Sequence, residues 1–256
     1  MSFFNKVLAS IGIGSATVDT RLEKSTYTAG ETLRGTIEIA GGSTEQFIDA
    51  IYLTLYTTYI KEVNDNKYTD SAAIHKVKVN EPFTIGANER KSIPFTFQLP
   101  FDTPATLGKT RVWIQTGLDI KNAVDPTDKD YIEVNPSPLA SQVLQAVERI
   151  GFRLRKVDCE YASMKLRSPY VFVQEFEFTP TNSTYRSRLD ELEVIFLSQT
   201  VNSAQLLLQV DRRARGLGGL FAEALDMDES FVRLSITAED IPYLNQKLQQ
   251  AINKYI

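Results

Sequence analysis

Residues 16–42 read ATVDTRLEKSTYTAGETLRGTIEIAGG. In the second half Leu33, Gly35, Ile37 and Ile39 alternate with Thr32, Arg34, Thr36 and Glu38. A period of two belongs to a strand with one buried and one wetted face. The first half alternates more loosely, Val18, Thr20 and Leu22 against Thr17, Asp19, Arg21 and Glu23. Ser25 to Gly30 carries turn residues, with Gly30 free to take a positive φ. The stretch is predicted to be strand, turn, strand, the opening pair of a β-sandwich.

The same grammar recurs downstream. IDAIYLTLYTTYIKEV, from Ile48 to Val63, is rich in β-branched and aromatic residues and predicts a long strand with Ile51, Leu53 and Leu55 on one face. Asn64 to Asn66 is a polar turn, and His75 falls in a following strand as a half-exposed residue. Ile93, Phe95, Phe97 and Leu99 alternate strictly, with Pro94 suited to an edge. Arg111–Ile120 and Tyr131–Val134 complete roughly seven strands. At Ser137 the period changes. A capping serine, Pro138, and Leu139, Val143, Leu144, Val147 and Ile150 predict a helix ended by Gly151. Strands resume at Tyr170, Phe172, Gln174, Phe176 and Phe178. Asp240 is read as the cap of a last helix carrying Leu244 and Leu248. The fold expected is all-β: two tandem antiparallel β-sandwich lobes, residues 1–135 and 152–256. The helix of 136–151 stands between them with its apolar stripe shared by both, and an amphipathic helix lies at the C-terminus.

Composition narrows the chemistry. Hydrophobic residues make up 43% and charged ones 23%, a foldable balance. Net charge is −4, against a general nucleic-acid binder. One cysteine, Cys159, and one histidine, His75, allow no internal disulfide and no zinc site of Cys and His ligands. The two fall in different expected domains, which argues against a Cys-His dyad. No apolar run reaches the length of a membrane-spanning helix. The apolar run after Lys6 is short and glycine-broken, unlike a signal peptide. No cofactor is expected, and a cytoplasmic location is.

Four stretches carry a family resemblance: FFNKVLASIGIGSATVDTRLEK with TAGETLRGTIEIAGG, QEFEFTPT (Gln174–Thr181), LDELEVIF (Leu189–Phe196) and DRRARGLGGLF (Asp211–Phe221). Together they resemble the Spo0M (SpoOM) family of bacterial sporulation-control proteins along nearly the whole chain, the last motif being the most specific. The resemblance implies an arrestin-like pair of sandwiches, no catalytic centre, and a regulatory or scaffolding role played through protein partners. It also implies, for many members, a longer His- or acid-rich tail than this sequence shows before Ile256.

Candidate sites follow from residue types. In DRRARGLGGLF the glycines precede a predicted helix, and Arg212, Arg213 and Arg215 could grip an acidic or phosphorylated partner. The bland alternative is a tight turn with its arginines paired to nearby acids. No phosphate-loop Lys follows the glycines, and the dinucleotide fingerprint fails. Phe3, Phe4, Val7, Leu8 and Ile11 have helical spacing and suit a short helix packed on the body, or an anchor on a membrane or partner. Leu244 and Leu248 belong to a stripe that packs in cis or pairs two chains as a homodimer. Glu175 and Glu177 share a strand face read as the solvated side. Asp125, Asp128 and Asp130 are read as turn acids, since the calcium-loop pattern fails. Sheet edges can accept an extended peptide.

Overall fold

The computed structural model describes residues 15–64, 66–121, 124–162, 169–212 and 229–255. The opening pair forms as read. β1 (Thr17–Leu22) runs antiparallel to β3 (Thr32–Ala40), with Thr17 opposite Ala40 and Leu22 opposite Gly35. Leu33, Ile37 and Ile39 are buried. Gly35 interrupts that apolar row for a steric reason. A Cβ there would lie 2.5 Å from the Arg21 carbonyl oxygen and 2.9 Å from the Phe95 ring. β7 (Arg90–Gln98) adds to the other side of β3 and is the edge, where Pro94 costs no ladder bond.

The stretch read as a turn does more than turn. Gly30 has the expected positive φ, +87°. Before it, however, β2 (Thr26–Thr28) crosses to the opposite sheet and pairs in parallel with β9 (Thr127–Asn135). Tyr27 is buried there in the core. Three residues are too few for alternation to reveal a strand.

The opposing sheet is built on β4 (Gln46–Val63), 18 residues long. β8 (Val112–Ile120) pairs with one edge of β4, and β5 (Asn66–Lys78) and β6 (Phe83–Ile85) pair with the other. β9 extends the sheet beyond β8. A bulge between Ile48 and Ala50 resets the parity, so that Ile48 and Ile51 both face the core. Leu33 and Ile37 from the first sheet meet Leu53, Ile114 and Ile132 from the second in one apolar core.

After β9 comes α1 (Pro138–Arg149). Ser137 caps it as expected, its Oγ accepting the Ala140 N–H at 3.1 Å, and Gly151 follows it at φ +109°. Then β10 (Phe152–Tyr161), β11 (Phe172–Pro180), β12 (Leu189–Gln199), β13 (Ser203–Arg212) and β14 (Glu229–Thr237) form an antiparallel sheet in chain order. α2 (Ser183–Arg186) is a single turn that buries Tyr185. A 3-10 turn (Ala238–Tyr243) leads into α3 (Leu244–Asn253). Its cap is Thr237, whose N–H bonds the Asp240 carboxylate at 2.8 Å; Asp240 is the box partner of that cap, not the cap read from sequence.

The chain is all-β in class, as read. Three details differ from the sequence reading. Among the described residues, α1 and α3, instead of a further sheet, cover the core face of β10–β14. Leu139, Val143 and Val147 of α1 pack in that second core with Leu244, Leu248 and Ile252 of α3. The α1 stripe is thus not shared between two cores. Conversely, Cys159 of β10 and Phe172 of β11 pack in the first core. The lobes also meet edge to edge: β10 runs parallel beside the end of β4, Glu160 opposite Ile60.

Candidate functional site

The most constructed polar region lies where the lobes meet. Gln174 stands in a parity row of β11 that is otherwise Tyr170, Phe172, Phe176 and Phe178. Its Oε1 accepts the Ala105 N–H at 2.9 Å and its Nε2 donates to the Ala105 carbonyl at 2.7 Å. A side chain thus imitates a ladder pair between the lobes. Beside it Thr110 Oγ1 donates to Cys159 Sγ at 3.6 Å. Gly108, at φ +61°, lets the loop press on β10, since a Cβ would fall 2.2 Å from the Val157 carbonyl oxygen. Ser137 Oγ donates to Gln199 Oε1 at 2.8 Å. A lone amide in an aromatic row was the signal in the sequence, because a polar group at a buried position needs a partner.

Next to this clamp is a cavity of about 40 Å³, lined by Asp102, Pro104, Ala140, Tyr170, Phe176 and Phe196. Burial pushes the Asp102 carboxyl up to about 6, only partly opposed by the N–H of Gln199. Its Oδ1 is buried without a partner. A wider cleft of about 210 Å³ lies nearby, walled by Tyr59, Lys67, Tyr68 and Lys109 over Asp158 and Cys159.

The carboxylates read as a solvated face are corrected. Glu177 is buried and bonded to Arg155 at 2.7 Å and Lys156 at 2.8 Å. Burial alone would raise it, but the two cations outweigh burial and hold it below the usual carboxylate range. Glu175 has gone the other way. Burial, with the charges of Glu193 and Glu160, pushes it up to about 8. Lys156 also meets Asp158 at 3.1 Å and Glu160 at 3.6 Å. Alternation identified the shared face but not the cations on the neighbouring strand.

Other sequence-predicted sites fall as follows. Leu244 and Leu248 are 1% and 0% exposed in the second core, so they offer no surface to a partner or a second chain; the stripe packs in cis. Arg212 ends β13, while Arg213, Arg215, Phe3 and Phe4 lie outside the described residues. Cys159 is buried in the first core, not in a separate one from the strand of His75, and burial pushes its thiol up to about 12. His75 is exposed on β5 with its ring 5.6 Å from that of Phe97. Asp128 and Asp130 lie within β9 and not in the turn. Asp128 accepts the Thr20 N–H at 2.6 Å, and Asp125 caps the turn by accepting the Ile120 N–H at 2.9 Å. Among the described residues no three His, Cys, Asp or Glu side chains gather as metal ligands, and no helix is long and apolar enough to cross a membrane.

This arrangement can couple two lobes and present surfaces. Known proteins are similar to this chain along nearly its whole length. The family model described as SpoOM protein matches residues 4–214. The sporulation-control protein spo0M of Bacillus subtilis (strain 168) is 44% identical over 259 residues, covering 100% of this chain and 99% of that protein. The crystal structure of Spo0M, sporulation control protein, from Bacillus subtilis superposes with a TM-score of 0.83 at 42% identity, over 95% of this chain and 100% of that one. The chain belongs to the SpoOM protein family.

Proposed function

We propose that this chain is a non-catalytic regulator of sporulation or development that works by binding other proteins in the cytoplasm. The observation that carries the reading is 44% identity, along the whole chain, with a sporulation-control protein. The chemistry of the described residues supports it. The thiol of Cys159 is buried and held protonated, and Glu177 is locked between two cations. His75 meets a phenylalanine ring and not a nucleophile or acid. Such groups suit a framework better than acid-base or nucleophilic work.

The test is replacement in Bacillus subtilis. A strain lacking its own sporulation-control protein is supplied with this chain, and heat-resistant spores are counted. Spore numbers moving back toward those of the parent are expected. Numbers identical to those of the deletion strain, with the protein present at parental levels, would overturn the sporulation role.

A further inference from the structure

The outward face of the first lobe's larger sheet has a composition that ordinary solvation does not explain. The register aligns its residues in rows across four strands. One row reads Lys76, Thr54, Gln115, Lys129 from β5 to β9. The next holds Tyr56, Trp113 and Tyr131, and on the other side Lys78 stands opposite Tyr52. Tyr56 and Trp113 stack at 5.4 Å, and Tyr131 tilts against Trp113 at 5.8 Å. Lys129 Nζ lies 3.9 Å from the Trp113 ring centre, and Lys76 Nζ lies 3.9 Å from that of Tyr52.

No carboxylate interrupts these rows; Asp119 and Glu133 stand at their margins. None of the three lysines is in an ion pair among the described residues. Opposite charges set across strands stabilise a solvated sheet face, and like charges do not. The second lobe has such pairs, where Arg155 and Lys156 lie among Glu177, Asp158 and Glu191. The first-lobe face instead collects cations over aromatic rings, in a chain whose acids outnumber its bases by 32 to 28. Tyr131, 58% exposed, offers ring surface at the β9 end of the face.

Charge complementarity calls for an anionic occupant. A long polyanion or an anionic membrane would feel the net charge of −4. A short acidic segment feels mainly the patch, because screening confines each charge to about 8–10 Å. Lys76 and Lys129 are three strand spacings apart, about 14 Å, close to three turns of helix at about 16 Å. We propose that this face docks a short acidic amphipathic helix of a partner protein. Trp113 itself is buried under Lys129, so the apolar stripe of that helix would lie on the exposed Tyr131 ring and the half-buried Tyr56 of the same row, with its carboxylates on Lys76, Lys78 and Lys129. The inference rests on the protein-binding reading above and names the partner's chemistry.

The probe is a fluorescein-labelled synthetic helix of Glu, Leu and Ala with one apolar stripe, titrated with the full chain and read by anisotropy. Its twin carries Gln for Glu. Saturable binding is expected, weakened by about tenfold or more in the Gln twin, in Lys76→Gln with Lys129→Gln, and in Tyr131→Ala. Lys254→Gln, on the far helix, leaves binding unchanged. Melting curves check each variant; Tyr131→Ala, at an exposed ring, reads the same face if the double variant loses stability. Absent saturation, or equal affinity in the lysine and Tyr131 variants, overturns the proposal. So does tighter binding to phosphatidylglycerol vesicles or to an oligothymidylate strand. Spore counts read the sporulation role separately: restored spores without peptide binding would sink the docking face alone, and peptide binding without restored spores would sink the role alone.

Discussion

Asp102 is a residue whose chemistry its neighbours in sequence do not announce. FDTP, from Phe101 to Pro104, reads as a loop. Only the second lobe, closing over it, removes the carboxyl from water and lifts it from an ordinary 3.8 to about 6. A carboxyl raised on folding holds its proton more tightly in the native state. Its contribution is fully present below pH 3.8 and is lost as pH rises through about 6. Asp102→Asn keeps the acceptor for the Gln199 N–H and removes the buried charge. We expect it to melt at a higher temperature than the parent at pH 8 and to show no gain at pH 4. An equal shift at both pH values would mean that the charge is irrelevant. Glu175 follows the same sign over a higher window, from 4.5 to about 8, so Glu175→Gln is expected to stabilise most above that window. Glu177 is the opposite case, a lowered carboxyl whose stabilisation disappears as acid protonates it.

At the scale of elements, α1 and α3 show how far periodicity carries. The α1 span and its capping serine were readable because the cap, the proline and the apolar spacing agree. The α3 stripe was readable too, but its partner was not. A three-four pattern says that one face is buried and leaves open whether the same chain or a second chain covers it. Here the second sheet does, with Leu248 fully buried beside Val143 and Val147 in one cluster. Leu248→Ala is expected to destabilise the protein by about 2–5 kcal/mol through lost burial and the cavity left behind. Ser137→Ala removes a cap worth about 1 kcal/mol together with the bond to Gln199. Urea denaturation measures both; a loss under about 1 kcal/mol at Leu248 would contradict its place in the core.

On the scale of the whole molecule, the two lobes are joined by apolar packing of Cys159 and Phe172 in the first core, by ring contacts of Tyr59 with Tyr161 and Phe172, and by a few well-placed polar bonds. The Gln174 amide grips the Ala105 backbone at two points, and β10 runs parallel beside β4 with Glu160 in register with Ile60. Removing the amide leaves the Ala105 N–H and C=O without their partner, which costs about 1–3 kcal/mol if they stay buried. Gln174→Ala is therefore expected to lower the cooperativity of unfolding, so that calorimetry resolves two transitions where the parent gives fewer or closer ones. A variant with a single transition at the parental temperature would show that the clamp does not couple the lobes. None of Lys76, Lys78 and Lys129 bonds to Gln174 or Ala105 among the described residues, so lysine changes there are expected to leave the coupling intact.

Alternation in residues 17–39, in 48–60 and again in 172–178, with the capped helix after Ser137, determined the strands, the helices and the faces that turn inward. That information is local, since backbone geometry fixes which side chains share a face. What lies opposite a face is set by contacts between residues far apart in the chain. Only the tertiary structure decided that β2 crosses sheets, that helices cover the second core, and that Glu177 meets two cations. The same holds for Gln174 reaching Ala105 and for three lysines and four aromatic rings meeting on one sheet. The opening stretch shows both halves of that division: its period announced the strand pair, and the crossing of Thr26–Thr28 became visible only when β9 stood beside it.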